Sequence, residues 1–202
     1  MSGGWWLLAR ARHTTRAVAA LVVLAVLEAT VGSASLDLLG QDITLSIPWA
    51  VIIPVAAAAV IGIGTRSAVG DTEATTTRSL PSLRAAHVAV VAAVGLVTTA
   101  VGGSGLTGPI SGPAALRNYL GFTGLALLSA SVVGSSLAWP LPVALAVAST
   151  TVGADQGVRH GWAWPIHDNG DPTSFLIAVA ILLVGAGLFI LRGDRNPRTE
   201  RD

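Results

Sequence analysis

Polar and apolar positions along this chain are segregated into long blocks. Six blocks are almost continuously apolar: residues 17–36, 47–63, 86–102, 119–137, 139–153 and 173–191. The hydrocarbon core of a bilayer is about 30 Å thick and takes about 20 apolar residues as a helix. Only a structure that pairs its own backbone groups is stable there, and a helix does so within each segment. The pattern therefore predicts an all-α, polytopic membrane protein with six transmembrane helices.

Composition supports a lipid environment. The 202 residues are 52% hydrophobic and 11% charged, whereas a soluble domain carries about 25% charged residues. The absence of cysteine excludes thiolate metal sites and cysteine nucleophiles. A net charge of +1 without a contiguous basic face argues against nucleic acid as a partner. Residues 1–202 are thus interpreted as one transmembrane domain, with the lipid bilayer as its first partner.

The arginines predict an orientation. All 12 basic residues are arginine. With six crossings and a cytoplasmic N-terminus, only Arg117 and Arg159 fall outside, which fits the positive-inside rule. Both termini are therefore predicted to be cytoplasmic, in a bacterial plasma membrane. The connecting regions are an amphipathic N-terminal segment (1–16), a cytoplasmic loop (64–85), an extracytoplasmic loop (154–172) and a cytoplasmic tail (192–202).

Two features of the apolar blocks leave more than one interpretation of the membrane topology open. The first block follows several arginines and ends in small residues, as a cleaved secretory signal would; Glu28 within it and five later blocks favour an uncleaved helix. The fourth and fifth blocks are separated by a Gly-Ser turn and two prolines, and the fifth is short. These two blocks either both cross the membrane or form a re-entrant hairpin.

Tryptophans near the ends of the blocks are predicted to anchor the protein at the membrane surface, where amphipathic rings accumulate. They are Trp5, Trp6, Trp49, Trp139, Trp162 and Trp164.

Glu28 is the one acidic residue inside an apolar block. It is predicted to lie near mid-bilayer, where acidic side chains usually face a bundle interior or an aqueous cavity. One interpretation is a substrate path or a proton-linked group; the other is a packing residue that bonds to a neighbouring helix. The candidate neighbours are Thr98, Thr99 and Ser129.

No complete catalytic set is found, so the protein is not predicted to be an enzyme. The segment Gly102–Gly105 matches the G-x-S-G of rhomboid intramembrane proteases, but the last block lacks the histidine base that this mechanism needs. The four histidines show neither i, i+4 pairing nor an H-E-x-x-H motif. No metal site, no cofactor and no P-loop is predicted, and any ATP hydrolysis is assigned to a partner subunit.

Taken in order, these elements resemble the permease subunit of a bacterial ABC exporter of the second, short-loop type. Residues 5–12 resemble the family's amphipathic connecting helix. The loop with Arg66, Arg78 and Arg84 occupies the position that docks on the ATPase. Trp162 to Pro165 lie where the family has short re-entrant helices. The resemblance implies a homodimer, or a pair with a similar permease, bound to cytoplasmic ATPase subunits.

Two other functions remain open. One is the substrate-binding membrane subunit of an energy-coupling-factor importer, which has a similar length and six spans. The other is a non-transporting membrane protein that serves as an assembly or immunity partner. Nothing in the sequence identifies a cargo.

Overall fold

The computed structural model describes residues 14–32, 34–38, 45–66, 80–105, 111–153 and 161–195. Within them the fold is all-α, as predicted. The α-helices are α1 (Thr14–Val31), α2 (Trp49–Gly64), α3 (Leu80–Gly103), α4 (Gly112–Val132), α5 (Pro140–Thr151) and α6 (Pro172–Arg192). Two short 3-10 helices cover Ser135–Leu137 and Gly161–Ile166. Each α-helix overlaps one predicted apolar block.

A small β-hairpin between α1 and α2 differs from the prediction. Strands β1 (Ser35–Leu38) and β2 (Leu45–Pro48) pair antiparallel, with Ser35 opposite Pro48. Their residues extend into the blocks predicted as the first two helices. Helix α1 instead ends at Val31, just before Gly32. The polar Asp37 between Leu36 and Leu38 gives the alternation of a strand.

Successive α-helices run in opposite directions. At one end of the bundle Gly103, at the end of α3, lies against Gly112, at the start of α4. At the other end the Arg195 N–H, just after α6, donates to the Ala130 carbonyl in the last turn of α4. We call the end with Gly103 and Gly112 the hairpin end, because it also carries β1 and β2. We call the end with Arg195 and Ala130 the arginine end. Exposed arginines gather at the latter: Arg16, Arg66, Arg192 and Arg195.

Helix α4 forms the centre of the bundle and packs between α2 and α6. Its contact with α6 is a backbone crossing at two glycines. A Cβ atom at Gly124 would lie 2.5 Å from the Leu182 nitrogen, and one at Gly185 would collide with the Gly124 carbonyl. Small residues at such crossings let helix backbones approach closely.

Two of the described helices are long and apolar enough to cross a membrane: Arg84–Gly103 within α3, and α6. Helix α2 is apolar but shorter. Large apolar side chains also cover the outside of the bundle, with Leu183 68% and Leu191 74% exposed. The described part of the chain therefore contains two candidate membrane-spanning helices.

Helix α5 is short, as the sequence predicted. Its 12 residues reach about 18 Å at 1.5 Å per residue. The turn before it begins at Gly134, which has a φ of 114° that favours glycine. The helix still runs from the arginine end back toward the 3-10 helix Gly161–Ile166. Their contact is shown by Gly153, just after α5, where a Cβ atom would lie 2.7 Å from the Ala163 Cβ.

Candidate functional site

Arg117 is the centre of a polar network at the hairpin end. It lies in α4 and is only 1% exposed. Its guanidinium donates to the carbonyl oxygens of His167 at 2.8 Å, Asp168 at 3.0 Å and Pro165 at 3.3 Å. Buried charges need such hydrogen bonds to offset desolvation. Arg117 thereby holds the chain that leaves the 3-10 helix Gly161–Ile166.

Asn118 joins the same segment to α2. Its side-chain nitrogen donates to the Pro165 carbonyl at 2.9 Å and to the Ala50 carbonyl at 3.3 Å. Asn169, in the turn before α6, exchanges two hydrogen bonds of 2.8 Å with Ser111, just before α4. The network therefore connects α2, α4 and α6 through the loop between α5 and α6.

The 3-10 helix Gly161–Ile166 is fixed inside the bundle by Trp164. This side chain is 1% exposed and its ring lies 5.2 Å from that of Phe122. A Cβ atom at Gly121 would collide with the indole. The prediction of Trp164 as a surface anchor is wrong for this reason: the absence of a side chain at Gly121 opens a space in α4 that the indole fills.

The other tryptophans predicted as surface anchors differ from Trp164 in their exposure. Trp139 at the arginine end and Trp162 at the hairpin end are exposed, and Trp49 is half-buried at the start of α2. Trp5 and Trp6, with the rest of the amphipathic segment predicted before α1, lie outside the described residues.

His167, Asp171 and Ser174 form a tight cluster at the start of α6. The His167 Nδ1 lies 2.8 Å from Asp171 Oδ2 and 2.7 Å from Ser174 Oγ, and Ser174 also donates to Asp171. Asp171 Oδ1 accepts from the Thr173 N–H, so the carboxylate caps the helix. Hydrogen bonds from Ser174 and His167 hold the pKa of Asp171 well below its usual range.

This cluster contains the residue types of a catalytic triad but not its geometry. A triad needs one imidazole nitrogen on the acid and the other on the serine. Here Asp171 and Ser174 share the same nitrogen of His167. The arrangement stabilises the beginning of α6 and does not activate a nucleophile.

Glu28 lies in the last turn of α1, not at its middle. Because α1 ends at Val31, the predicted mid-span position becomes a position at the hairpin end. The side chain is 0% exposed, and neither carboxyl oxygen has a hydrogen-bond partner among the described residues. It packs against the end of α3, where a Cβ atom at Gly102 would lie 3.1 Å from Oε2.

The structure does not bring all four predicted path residues together. Thr99 is buried in α3, one turn before Gly102 and Gly103, on the face turned toward Glu28. Thr98 is half-buried and donates to its own helix at the Gly95 carbonyl. Ser129 lies near the arginine end of α4 and donates to the Leu137 carbonyl at 2.8 Å. About 25 Å of helix separates it from the level of Gly112 and Glu28.

Ser129 borders an apolar cavity of about 520 Å³. The cavity lies between the end of α4, the 3-10 helix Ser135–Leu137 and the start of α5. Apart from Ser129, its lining side chains are apolar. Its walls are formed by Leu128, Ser129, Val132, Val133, Leu137, Pro140, Leu141 and Ala144.

At the arginine end, the predicted docking residues differ in exposure. Arg66 is exposed just after α2. Arg84 is half-buried, and its guanidinium packs where a Cβ atom at Gly193 would lie. Arg78 lies outside the described residues. The chain beyond α6 is fixed by Asp194, whose carboxylate accepts from the N–H and the hydroxyl of Ser135, both at 2.7 Å.

Within the described residues, no three His, Asp or Glu side chains are grouped closely enough to hold a metal ion. His160 and Asp155, which the sequence places in the extracytoplasmic loop, lie outside those residues.

The chain matches no known protein-family model, no curated protein and no solved structure. The fold and its sites define the class: an all-α bundle with an apolar exterior and two candidate membrane-spanning helices.

Proposed function

We propose that this protein is the membrane-spanning permease subunit of a bacterial ATP-driven exporter, energised by a separate cytoplasmic ATPase subunit. In this proposal all six α-helices cross the plasma membrane, the hairpin end is extracytoplasmic, and both termini are cytoplasmic. The subunit works as a homodimer or with a similar permease. The proposal assigns ATP hydrolysis to the partner subunit.

The observation that carries the proposal is the 3-10 helix between α5 and α6. Trp164 reaches Gly121, nine residues after Gly112. That distance is about 13 Å along α4. The segment therefore enters the bundle from the hairpin end, and Arg117 and Asn118 bind its carbonyls there. A short re-entrant helix between the last two spans is what the resemblance to short-loop exporters implies.

The distribution of arginines supports the same orientation. The exposed arginines of the described residues lie at the arginine end, whereas Arg117 at the hairpin end is buried and bonded internally. Excess arginine on one side is typical of the cytoplasmic face. Arg66, exposed after α2, is the best-placed described residue for an ATPase contact. Arg84 already packs against Gly193.

Glu28, Thr98 and Thr99 remain candidate substrate-path residues in the hairpin-end half of the bundle. Ser129 borders the apolar cavity at the other end instead. A path that uses both regions would pass from an apolar cavity on the cytoplasmic side toward a polar group on the outer side.

The test is to isolate the full-length protein from its native membrane together with any ATPase that binds it, and to measure ATP hydrolysis by the complex in lipid nanodiscs. We expect a stable complex whose ATP turnover falls at least tenfold with Arg66→Glu, because charge reversal disrupts docking. The matched control is Arg16→Glu, an exposed arginine at the same end, which should retain turnover.

Three results would contradict the proposal. The first is that no ATPase binds. The second is equal turnover in the two arginine variants and the unmodified protein. The third is a vitamin-sized molecule retained through purification, which would favour the importer subunit. A protein that neither binds an ATPase nor retains a ligand would fit a non-transporting membrane partner.

A further inference from the structure

Glu28 is a buried carboxyl group that has no hydrogen-bond partner in the described part of the chain. Its side chain is 0% exposed, and both oxygens lack a donor among the described residues. An ionised carboxylate removed from water without hydrogen bonds is costly. A carboxyl group in this position therefore has to bind a cation or a proton to be stable.

The local backbone does not compensate a negative charge. Glu28 lies at the C-terminal ends of α1 and α3, where helix dipoles present their negative ends. No N–H group of the described residues at the start of α4 donates to Glu28 either, since both carboxyl oxygens lack a hydrogen-bond partner. The site therefore favours a neutral or cation-bound carboxyl group over a free carboxylate.

Charged and titratable side chains on the neighbouring helices do not neutralise Glu28 either. Helix α2 contains none. The charged and titratable side chains of α1, α3 and α6 lie toward the arginine end. Those of α4 form hydrogen bonds with groups other than Glu28. Arg117 donates to loop carbonyls, and the Tyr119 hydroxyl donates to the Ala92 carbonyl. The full set is Arg16, Arg84, His87, Arg117, Tyr119 and Arg192.

The space around the carboxyl group distinguishes a proton from a metal ion. A Cβ atom at Gly102 would lie 3.1 Å from Oε2 and 2.8 Å from the Ala25 carbonyl oxygen. One at Gly103 would lie 3.2 Å from the Gly112 Cα. The packing of α3 at Gly102 and Gly103 thus leaves no room for an added carbon at either position. A hard cation such as Ca²⁺ needs about six to eight oxygen ligands, which one carboxyl group in this packing cannot supply.

We propose that Glu28 is a reversible proton-binding site, enclosed by Gly102 and Gly103 at the hairpin end. With the proton bound, the carboxyl group is neutral and the ends of α1, α3 and α4 pack closely. Loss of the proton leaves a carboxylate that needs water, and the three helix ends must separate to admit it. Proton occupancy thereby controls access to the hairpin end. The assignment does not depend on an ATPase partner.

The deciding measurement is infrared spectroscopy of the full-length protein in lipid nanodiscs. At neutral pH we expect a carboxylic acid C=O band that is absent from Glu28→Gln. The band should disappear as the pH is raised and return when the pH is lowered. Asp194→Asn is the control, because that carboxyl group is bonded to Ser135 at the opposite end; it should leave the band unchanged.

Chemical labelling adds an independent readout. An apolar carbodiimide adds to a protonated carboxyl group, and the adduct rearranges to a stable N-acylurea. Peptide mass mapping should find this adduct on Glu28 and not on the exposed Asp168, and alkaline pH should suppress it. A second variant, Glu28→Asp, should keep a titrating band even if Glu28→Gln unfolds.

The proposal would be overturned if the native protein showed no such band at neutral pH. A band that persisted in Glu28→Gln would equally overturn it, as would a band insensitive to pH. If millimolar sodium prevented the separation of the helix ends at alkaline pH, Glu28 would be identified as a metal-ion site instead.

Discussion

At the scale of the residue, Arg117 and Glu28 are equally buried but differ in their hydrogen-bond partners. Both are ionisable side chains with at most 1% exposure. Arg117 is surrounded by the carbonyl oxygens of His167, Asp168 and Pro165, and it fixes a loop. Glu28 is surrounded by helix ends and glycines that offer no donor. The first is therefore a structural residue, and the second can change state.

Asp171 provides a prediction about pH. Its lowered pKa means that ionised Asp171 stabilises the fold above the ordinary aspartate value of about 4. The contribution is lost as the pH falls from there through the lower folded-state pKa. We expect Asp171→Ala to destabilise the protein by about 1 kcal/mol at neutral pH, since it removes a helix cap. The measurement is thermal unfolding in detergent.

Two comparisons make this prediction specific. The stability difference between Asp171→Ala and the unmodified protein should shrink as the solution is acidified. Asp171→Asn, which can still cap the helix without a charge, should fall between the two. An equal difference at every pH would show that ionisation of Asp171 contributes nothing.

Individual residues also mark the limit of sequence prediction. Helix α6 begins where Asp171 caps it and proline occupies its first turn, and an N-cap residue before proline is a helix start that a sequence alone makes recognisable. The network around Arg117 was missed. Its partners are backbone carbonyls about fifty residues away, and a carbonyl has no identity in a sequence. The only available signal was an arginine beside an asparagine near an apolar block.

At the scale of the element, the six helices were predictable because each overlaps a long, almost continuously apolar block, and the length of such a block favours a helix over a strand. The positions at which the helices end were less predictable. The region between α1 and α2 forms a hairpin, since a run of apolar residues alone does not distinguish a strand from the end of a helix. The face that buries Trp164 was also not predictable, because it depends on Gly121 in a different helix.

The crossing of α4 and α6 gives a prediction with a matched control. Gly185→Ala should destabilise the protein by about 1–3 kcal/mol, because the added carbon overpacks the contact with Gly124. Gly187 lies in the same helix with nothing within 4 Å of an added Cβ. Gly187→Ala should be neutral or stabilising by up to about 1 kcal/mol, since alanine favours the helix.

Thermal unfolding of the two variants under identical detergent conditions provides the measurement. Equal melting temperatures for Gly185→Ala and Gly187→Ala would contradict the crossing of α4 and α6 at these glycines.

For the whole molecule, the absence of cysteine permits a direct test of orientation. Single cysteines can be placed at two exposed positions, Gly170 at the hairpin end and Ser136 at the arginine end. In intact cells, a membrane-impermeant maleimide should label Gly170→Cys. It should label Ser136→Cys only after permeabilisation.

The opposite result for both variants would reverse the proposed orientation. Labelling of both from the outside would contradict a membrane crossing between the two positions. A periplasmic-active reporter fused after Asp202 should be inactive if the C-terminus is cytoplasmic.

The shortness of α5 has a consequence for the surrounding lipid. In the proposed six-span topology, a segment of about 18 Å beside a hydrocarbon core of about 30 Å would create hydrophobic mismatch, and the bilayer would thin locally. Headgroups next to α5 would be drawn toward the middle of the membrane, near the cavity that Leu141 and Ala144 line. In the proposed orientation, we therefore expect this side of the bundle to give lipid-soluble molecules their shortest route across the membrane.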